Sequence, residues 1–362
     1  MPDGIYFSQV IDVCRYWEAT FNERAHLVAF VSLRDYFVSK RKIRSAYRHS
    51  VVLPMFPGIE NWKRNLLRLK IHMFFRKKQK VIARGVFATL LAMECKKFNK
   101  VCFDARGAYL AEWSEYLKSN SPTLASQMKG LEKQALNKSY VRIAVSQKLV
   151  EYWRDTYGYA STSHVIIPCT LDSSAQSSQA INPASIRTEL GLKDTDIVLV
   201  YSGSSAQWQS FEKLEQTMSI AFTQNADLKL LMFCKPGQEK PLAEKFPGRV
   251  TQAWVRPQEV NSYLKTADYG LLIREASITN KVSSPVKFAE YLAAGLPVII
   301  SENIGDYSAF VKDKNCGTIV DSTNWASMKR NSESERVRIK EIAQTYFTKQ
   351  AYKEQYDRIR KF

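Results

Sequence analysis

The sequence predicts an α/β protein made of two doubly wound domains in tandem, on three observations. Short apolar β-type runs alternate with longer helical stretches along the chain. The alternation breaks once, at 170–183, where Ser, Ala, Gln and Asn dominate as they do in an interdomain linker. And 362 residues exceed one compact domain of usual size but suit two.

In chain order, apolar runs place strands at 4–10, 26–31, 50–55, 80–83, 101–103, 141–145 and 164–167. Helical stretches separate several of them, at 11–21, 61–78, 86–98, 124–138 and 147–157. Strands alternating with helices of this length imply a parallel sheet with helices on both faces. After the linker the pattern restarts. Strands are expected at 197–201, 228–233, 250–253, 269–273, 297–300 and 317–320, with helices at 210–224, 257–266, 285–294 and 306–312. The stretch 332–362 is a charged helical tail. The expected domains are therefore 1–172 and 184–331, followed by the tail 332–362. Open α/β sheets bind ligands outside the carboxyl ends of their strands, so a ligand in a cleft shared by the two domains is the default expectation.

Charge narrows the partners. Lys and Arg number 53 against 35 Asp and Glu, a formal net of +18. Residues 1–180 hold 28 basic and 14 acidic side chains, the remainder 25 and 21, and residues 40–100 alone hold 17 and 2. Such an excess asks for nucleic acid, an anionic membrane or phosphorylated small molecules. No helix-turn-helix, zinc finger or aromatic ribonucleoprotein motif supports nucleic acid. No apolar run is long enough for a transmembrane helix. Asp3, Cys14, Arg15 and Glu18 argue against a secretory signal. The six cysteines lack CxxC spacing and the four histidines lack HExxH, so reduced thiols and no metal site are expected.

The most informative stretch is REASITNKVSSPVKFAEYLAAGLPVII, 274–300. A loop follows the strand 269–273 and ends at Ser283-Ser284-Pro285, where a Ser cap and Pro at the first helical position would open a helix. Free N–H groups at a helix start favour phosphate. Lys287 in the first turn opposes the helix dipole, a cost an anionic ligand removes. Glu290 stands one turn later, in position to accept from sugar hydroxyls. Gly295-Leu296-Pro297 closes the helix and starts a strand. A plain helix with a surface Lys and Glu accounts for the same spacing.

SPVKFAEYLAAGLPVI resembles the donor-binding signature of the family-4 retaining glycosyltransferases, which have the GT-B fold. The resemblance implies two Rossmann-like domains facing a central cleft, with a C-terminal helix returning to the first. It assigns Glu290 to the ribose of a nucleotide sugar, and Ser284, Pro285 and Lys287 to its diphosphate. Val200-Tyr-Ser-Gly203-Ser204 is similar to the family's glycine turn beside the donor phosphates. The segment from Trp254, Val255, Arg256 and Pro257 to Asp268 resembles the part that frames the base, and Ile166-Ile-Pro168 the end of the first domain. Two features depart from the family. Its second glutamate, eight residues before the first, is Val282 here, with Glu275 off register. Its basic pair after the glycine turn is replaced by 204–209, SSAQWQ. Lys235, Arg274 and Lys287 are the cations available for the diphosphate.

In the first domain, Phe103-Asp104-Ala-Arg106-Gly107 and Glu112 stand at a strand's carboxyl end, with Arg84-Gly85 and Ser8-Gln9 as further candidates. Asp104 and Arg106 suit catalysis, Arg84 and Glu112 the acceptor side; an Arg–Asp pair that shapes a loop is the competing account. Residues 61–80 place Trp62, Leu66, Leu69 and Met73 at helical spacing, with Leu67, Ile71 and Phe74 widening the stripe and eight basic residues around it. This helix could pack on the sheet, lie on an anionic membrane, or do both.

The resemblance implies a sugar transferred with retention from a nucleoside diphosphate to a lipid-linked or glycan acceptor of a cell-surface polysaccharide such as O-antigen or capsule. It implies neither cofactor nor metal, and a cytoplasmic place on the inner membrane face. The alternatives are a nucleotide-sugar epimerase on the same fold and a basic nucleic-acid-binding protein.

Overall fold

A computed structural model describes residues 4–173, 182–203, 210–256 and 258–362. The chain divides into two compact units. The first comprises Met1–Asp172, Val282–Ser284 and Tyr352–Phe362; the second comprises Ser173–Lys281 and Pro285–Ala351.

The first unit holds two parallel sheets. β1 (Leu27–Val31) pairs with β2 (Ser50–Pro54) alone, while β3 (Gln79–Arg84), β4 (Phe98–Ala105), β5 (Val141–Ala144) and β6 (His164–Ile166) form a second sheet in that order. The expected single sheet is thus split between β1 and β3. Its main core joins Trp62, Leu69, Met73, Phe103, Leu149 and Trp153, and takes in Val282. The last helix, Lys353–Lys361, buries Tyr356 and Ile359 against Cys102, Ile143 and Val165.

The strand expected at 4–10 is helical, running Gly4–Tyr6, Phe7–Ile11 and on into Asp12–Phe21. The aromatic and β-branched content suggested a strand. The side chains facing inward, Tyr6, Gln9, Val10, Val13, Cys14 and Trp17, nevertheless repeat every three to four residues, as one helical face does. The expected helix 61–78 is shorter: a 3₁₀ turn at Ile59–Arg64 leads into Asn65–Met73. The helix Tyr36–Ala46 escaped the sequence reading because it buries only Ser39 and Ile43 and so carries a thin apolar stripe.

The second unit is one six-stranded parallel sheet in the order β12–β11–β10–β7–β8–β9. Its strands are β7 (Ile197–Ser202), β8 (Leu228–Phe233), β9 (Val250–Ala253), β10 (Tyr269–Leu272), β11 (Val298–Ile300) and β12 (Gly317–Ile319). The central strands β7, β8, β10 and β11 are almost wholly buried, which explains their unbroken apolar runs. Strand order reverses beside β7, the place where open α/β sheets bind ligands. All six cysteines are free thiols.

Candidate functional site

In the second unit, β10 ends at Leu272 and the chain carries Arg274 inward, 6% exposed. Ser301 Oγ accepts from the Arg274 backbone N–H at 2.9 Å, tying the loop to the end of β11. The guanidinium donates to Asn280 Oδ1 at 3.0 Å, and Asn280 Nδ2 donates to Glu275 O at 3.1 Å. Asn280 is fully buried and therefore sets the arginine's direction.

The helix Val286–Ala293 opens opposite this loop. Lys287 points inward beside Tyr201, its Nζ 5.0 Å from the ring centroid. Burial, and then the charge of Arg274, push the lysine's pKa well below the usual range, and Glu290 offsets this in part. Two cations therefore share a desolvated space with one carboxylate nearby. The packing beneath is tight. Tyr291 OH accepts from Ser202 N at 2.9 Å and donates to Leu271 O at 3.3 Å, and its ring lies over Gly270, where a Cβ would come within 2.4 Å of it.

Among the other expected donor-side residues, Gly203 donates its N–H to Phe233 O at 3.1 Å, which joins the ends of β7 and β8. Ser204 lies outside the described residues, as do 205–209 and Pro257. Lys235 is exposed at a turn after β8, and Val255 is half-buried after β9. The Ser cap expected for the helix is absent. Pro285 itself occupies the capping position with extended backbone, so Val286 is the first helical residue. Ser284 belongs to the first unit, where its Oγ accepts from Cys169 N at 2.8 Å. Val282 is 1% exposed in that unit's core, and its carbonyl accepts from Ser146 Oγ at 2.7 Å, so the missing second glutamate is replaced by a packing residue. Glu275 accepts from Ser210 Oγ, the hydroxyl that caps the helix Phe211–Gln224.

In the first unit, Asp104 closes a compact cluster. Its carboxylate takes Arg84 Nη1 at 3.1 Å and Arg106 Nη1 at 3.2 Å. Arg84 also donates to Gln9 O at 3.3 Å, and Arg106 Nη2 to Cys169 Sγ at 3.2 Å. Gln9 ties the cluster to Thr170, donating to its carbonyl at 2.6 Å and accepting from its N–H at 3.2 Å. Gly85, at φ +86°, donates to Asp104 O at 3.0 Å and opens the helix Val86–Glu94. The Arg–Asp pairing expected as the competing account is therefore present. Glu112 is half-buried, and burial raises its pKa.

Sequence reasoning missed Glu132, which is fully buried in the helix Pro122–Lys138. It accepts from Tyr109 N at 3.2 Å, Leu110 N at 2.8 Å and Tyr157 OH at 2.8 Å, holding the start of the helix Tyr109–Glu112. Burial dominates and raises its pKa to about 7. It also missed Tyr201, Asn280 and Tyr291, whose apolar or loop surroundings carry no motif.

Residues 199–355 match the family described as "Glucosyltransferase 3-like, C-terminal domain". The fold is that of the GT-B glycosyltransferases, with two Rossmann-like units. Anabaena HepE, solved with UDP, aligns at a TM-score of 0.70 and 12% identity over 99% of this chain and 96% of its own. Sucrose-phosphate synthase from Thermosynechococcus elongatus aligns at 0.64 and 14%, over 93% and 98%. WaaG, a glycosyltransferase involved in lipopolysaccharide biosynthesis, aligns at 0.59 and 16%, over 90% and 98%. No curated protein is significantly similar in sequence. The family match thus falls mostly on the second unit and includes Arg274, Lys287 and Glu290.

Proposed function

We propose that the protein transfers a sugar, with retention, from a nucleoside diphosphate sugar to a lipid-linked or glycan acceptor in cell-surface polysaccharide synthesis. The observation that carries this reading is the crowding of Lys287 against Arg274 in a buried space, with Glu290 one turn away. Burial and the charge of Arg274 disfavour the charged lysine and Glu290 offsets this only in part, so a further anion would be favourable there. A diphosphate supplies that anion, and Arg274, Lys287 and the N–H groups at the helix start would stabilise the charge that grows on it as the sugar leaves. The reading gives the diphosphate's charge to these groups and calls on neither metal nor cofactor. Glu290 would take the ribose hydroxyls, with Gly203, Ser204, Ser284 and Pro285 near the phosphates, Lys235 as a further cation and Val255 beside the base. The UDP in Anabaena HepE, and the UDP-glucose in a second HepE structure, support a donor of this class.

In the first unit the reading uses Asp104 and Arg106 in catalysis, and Arg84 and Glu112 on the acceptor side. The glycosidic bond to the diphosphate breaks as the acceptor oxygen bonds the anomeric carbon on the same face, and the acceptor proton passes to a diphosphate oxygen. The protein would work at the inner face of the cell membrane. No helix among the described residues is long and apolar enough to cross a bilayer. The helix Asn65–Met73 instead has two apolar faces. Leu69 and Met73 enter the core, while Leu67, Ile71, Phe74 and Phe75, 60–94% exposed, form an outer stripe among Lys63, Lys70, Lys77 and Lys78.

Melting the protein with UDP, GDP, ADP and their sugars tests the donor reading. At least one nucleotide is expected to raise Tm, and Glu290→Ala to lose most of that shift. No shift with any of them, or an unchanged response of the variant, refutes it; donor turnover without acceptor would mark an epimerase. Phe74→Ser/Phe75→Ser is expected to release the chain from phosphatidylglycerol vesicles while nucleotide binding persists, and retention on the vesicles would remove the membrane reading.

A further inference from the structure

The first unit holds a half-open cavity of about 720 Å³ that the donor chemistry does not use. It lies at the split in the sheet. Leu27–Phe30 of β1 and all of β3 line it, and among the described residues each of these strands pairs with one strand, on its other side. Trp17, Leu69, Met73, Val81, Phe98 and Ile359 contribute apolar walls, and the volume falls in the roughly 300–1,000 Å³ range of small-molecule sites.

One end of this space is cationic. Arg24, Arg48 and Arg76 come two or three residues before Leu27, Ser50 and Gln79, the first residues of β1, β2 and β3, and all three line the cavity. Two of them, Arg76 and Arg24, act on a common neighbour: burial, then Arg76, His49 and Arg24, push the His26 imidazole below its usual range, with Glu18 opposing. Acidic compensation is thin. Arg24 is 3.9 Å from Glu18, and Glu23 is taken by Arg360 at 2.8 Å. Arg48 and Arg76 have no acidic partner among the described residues. At the far end of β3 the cavity reaches Arg84 and Asp104, whose charges already meet.

An apolar void behind three arginines has the chemistry of an anion with a hydrocarbon chain attached. The guanidinium forks match phosphate oxygens, and the walls match the chain. We propose that this cavity is a second ligand site, taking a single-chain amphiphile with a phosphate head on Arg24, Arg48 and Arg76 and its chain between β1 and β3. None of Arg274, Lys287 or Glu290 lines it, so the site stands whether or not the donor reading does.

The test titrates the full chain with dodecyl phosphate below its micellar concentration, and with dodecyl maltoside and inorganic phosphate, followed by thermal shift. Dodecyl phosphate is expected to bind at least tenfold more tightly than the maltoside, and inorganic phosphate at the same concentration to leave Tm unchanged. Arg48→Ala/Arg76→Ala should cost dodecyl phosphate at least tenfold and leave the maltoside unaffected, and Val81→Trp, which fills the void, should block the chain. Phe74→Ser/Phe75→Ser should change nothing, which separates the cavity from the outer stripe. Dodecyl phosphate carried in phosphatidylcholine vesicles distinguishes the source: depletion of the vesicles supports a bilayer ligand, and binding only from solution supports a free one. Equal binding of phosphate and maltoside amphiphiles, a full response to inorganic phosphate alone, or indifference to Arg48→Ala/Arg76→Ala overturns the site.

Discussion

Each unit gathers two basic side chains and a carboxylate at the ends of its parallel strands, yet the two groups are wired oppositely. In the first unit Asp104 sits between Arg84 and Arg106 and bonds to both. In the second, Lys287 faces Arg274, and their repulsion, added to burial, depresses the lysine. In the first the opposite charges meet directly; in the second the two basic side chains act on each other, with Glu290 offsetting the lysine in part. Direct ion pairs hold loops in place, whereas a lysine depressed by burial and a like charge costs stability that an added anion would return. Residue type alone therefore does not separate a scaffold ion pair from a phosphate site.

The largest expected effect comes from Lys287→Met. Nucleotide affinity should fall roughly 100-fold, the worth of one buried charge-assisted contact, while Tm rises. The sign follows from the depressed pKa. Between the folded value and the usual 10.5 the unfolded chain binds the extra proton, so the lysine's penalty is complete at low pH and fades as pH rises. The gain in Tm should shrink accordingly at high pH, and a variant that loses both affinity and Tm would end the contrast. Asp104→Asn is the mirror experiment. It leaves two arginines against each other and should cost roughly 2 kcal/mol, below the 3–5 of a fully buried pair because the Arg84 side chain is 30% exposed. Nucleotide affinity should stay as it was; a large loss would make Asp104 more than a clamp.

A smaller effect is expected at Glu132. Its folded pKa, about 7, lies above the usual 4.5, so the folded state holds a proton that the unfolded state has released. That contribution is complete below about pH 4.5 and is lost as pH rises through about 7, with a slope of at most about 1.4 kcal/mol per pH unit. Hydrogen exchange of 98–157 between pH 5 and 8 should show the decline, and Glu132→Gln should flatten it.

The second unit was the more legible of the two. Its strand at 228–233 matches the sequence reading to the residue, because a strand buried on both faces leaves a long apolar run that little else produces, and the half-buried edge strand at 250–253 matches as well. Lys287 and Glu290 were visible through the helix they begin. Asn280, which aims Arg274, was not, since a loop asparagine gains its meaning only from a partner across the fold. In the first unit the terminal stretch misled, because Ile5, Tyr6, Phe7 and Val10 have strand composition but helical spacing. The break between β1 and β3 was invisible, because alternation along a chain reports strands and not which of them meet.

That break has a mechanical consequence. A two-stranded sheet has little stability of its own and depends on the helices that cover it. Here Ile11 and Ile43 from those helices pack on Ala29 and Val52 of β1 and β2. This layer can loosen as one leaf, with no strand ladder to β3 to break first. Amides such as Ala29 and Val52 are then the first of the sheet amides to exchange, well ahead of Phe103 and Ile143 in the four-stranded sheet.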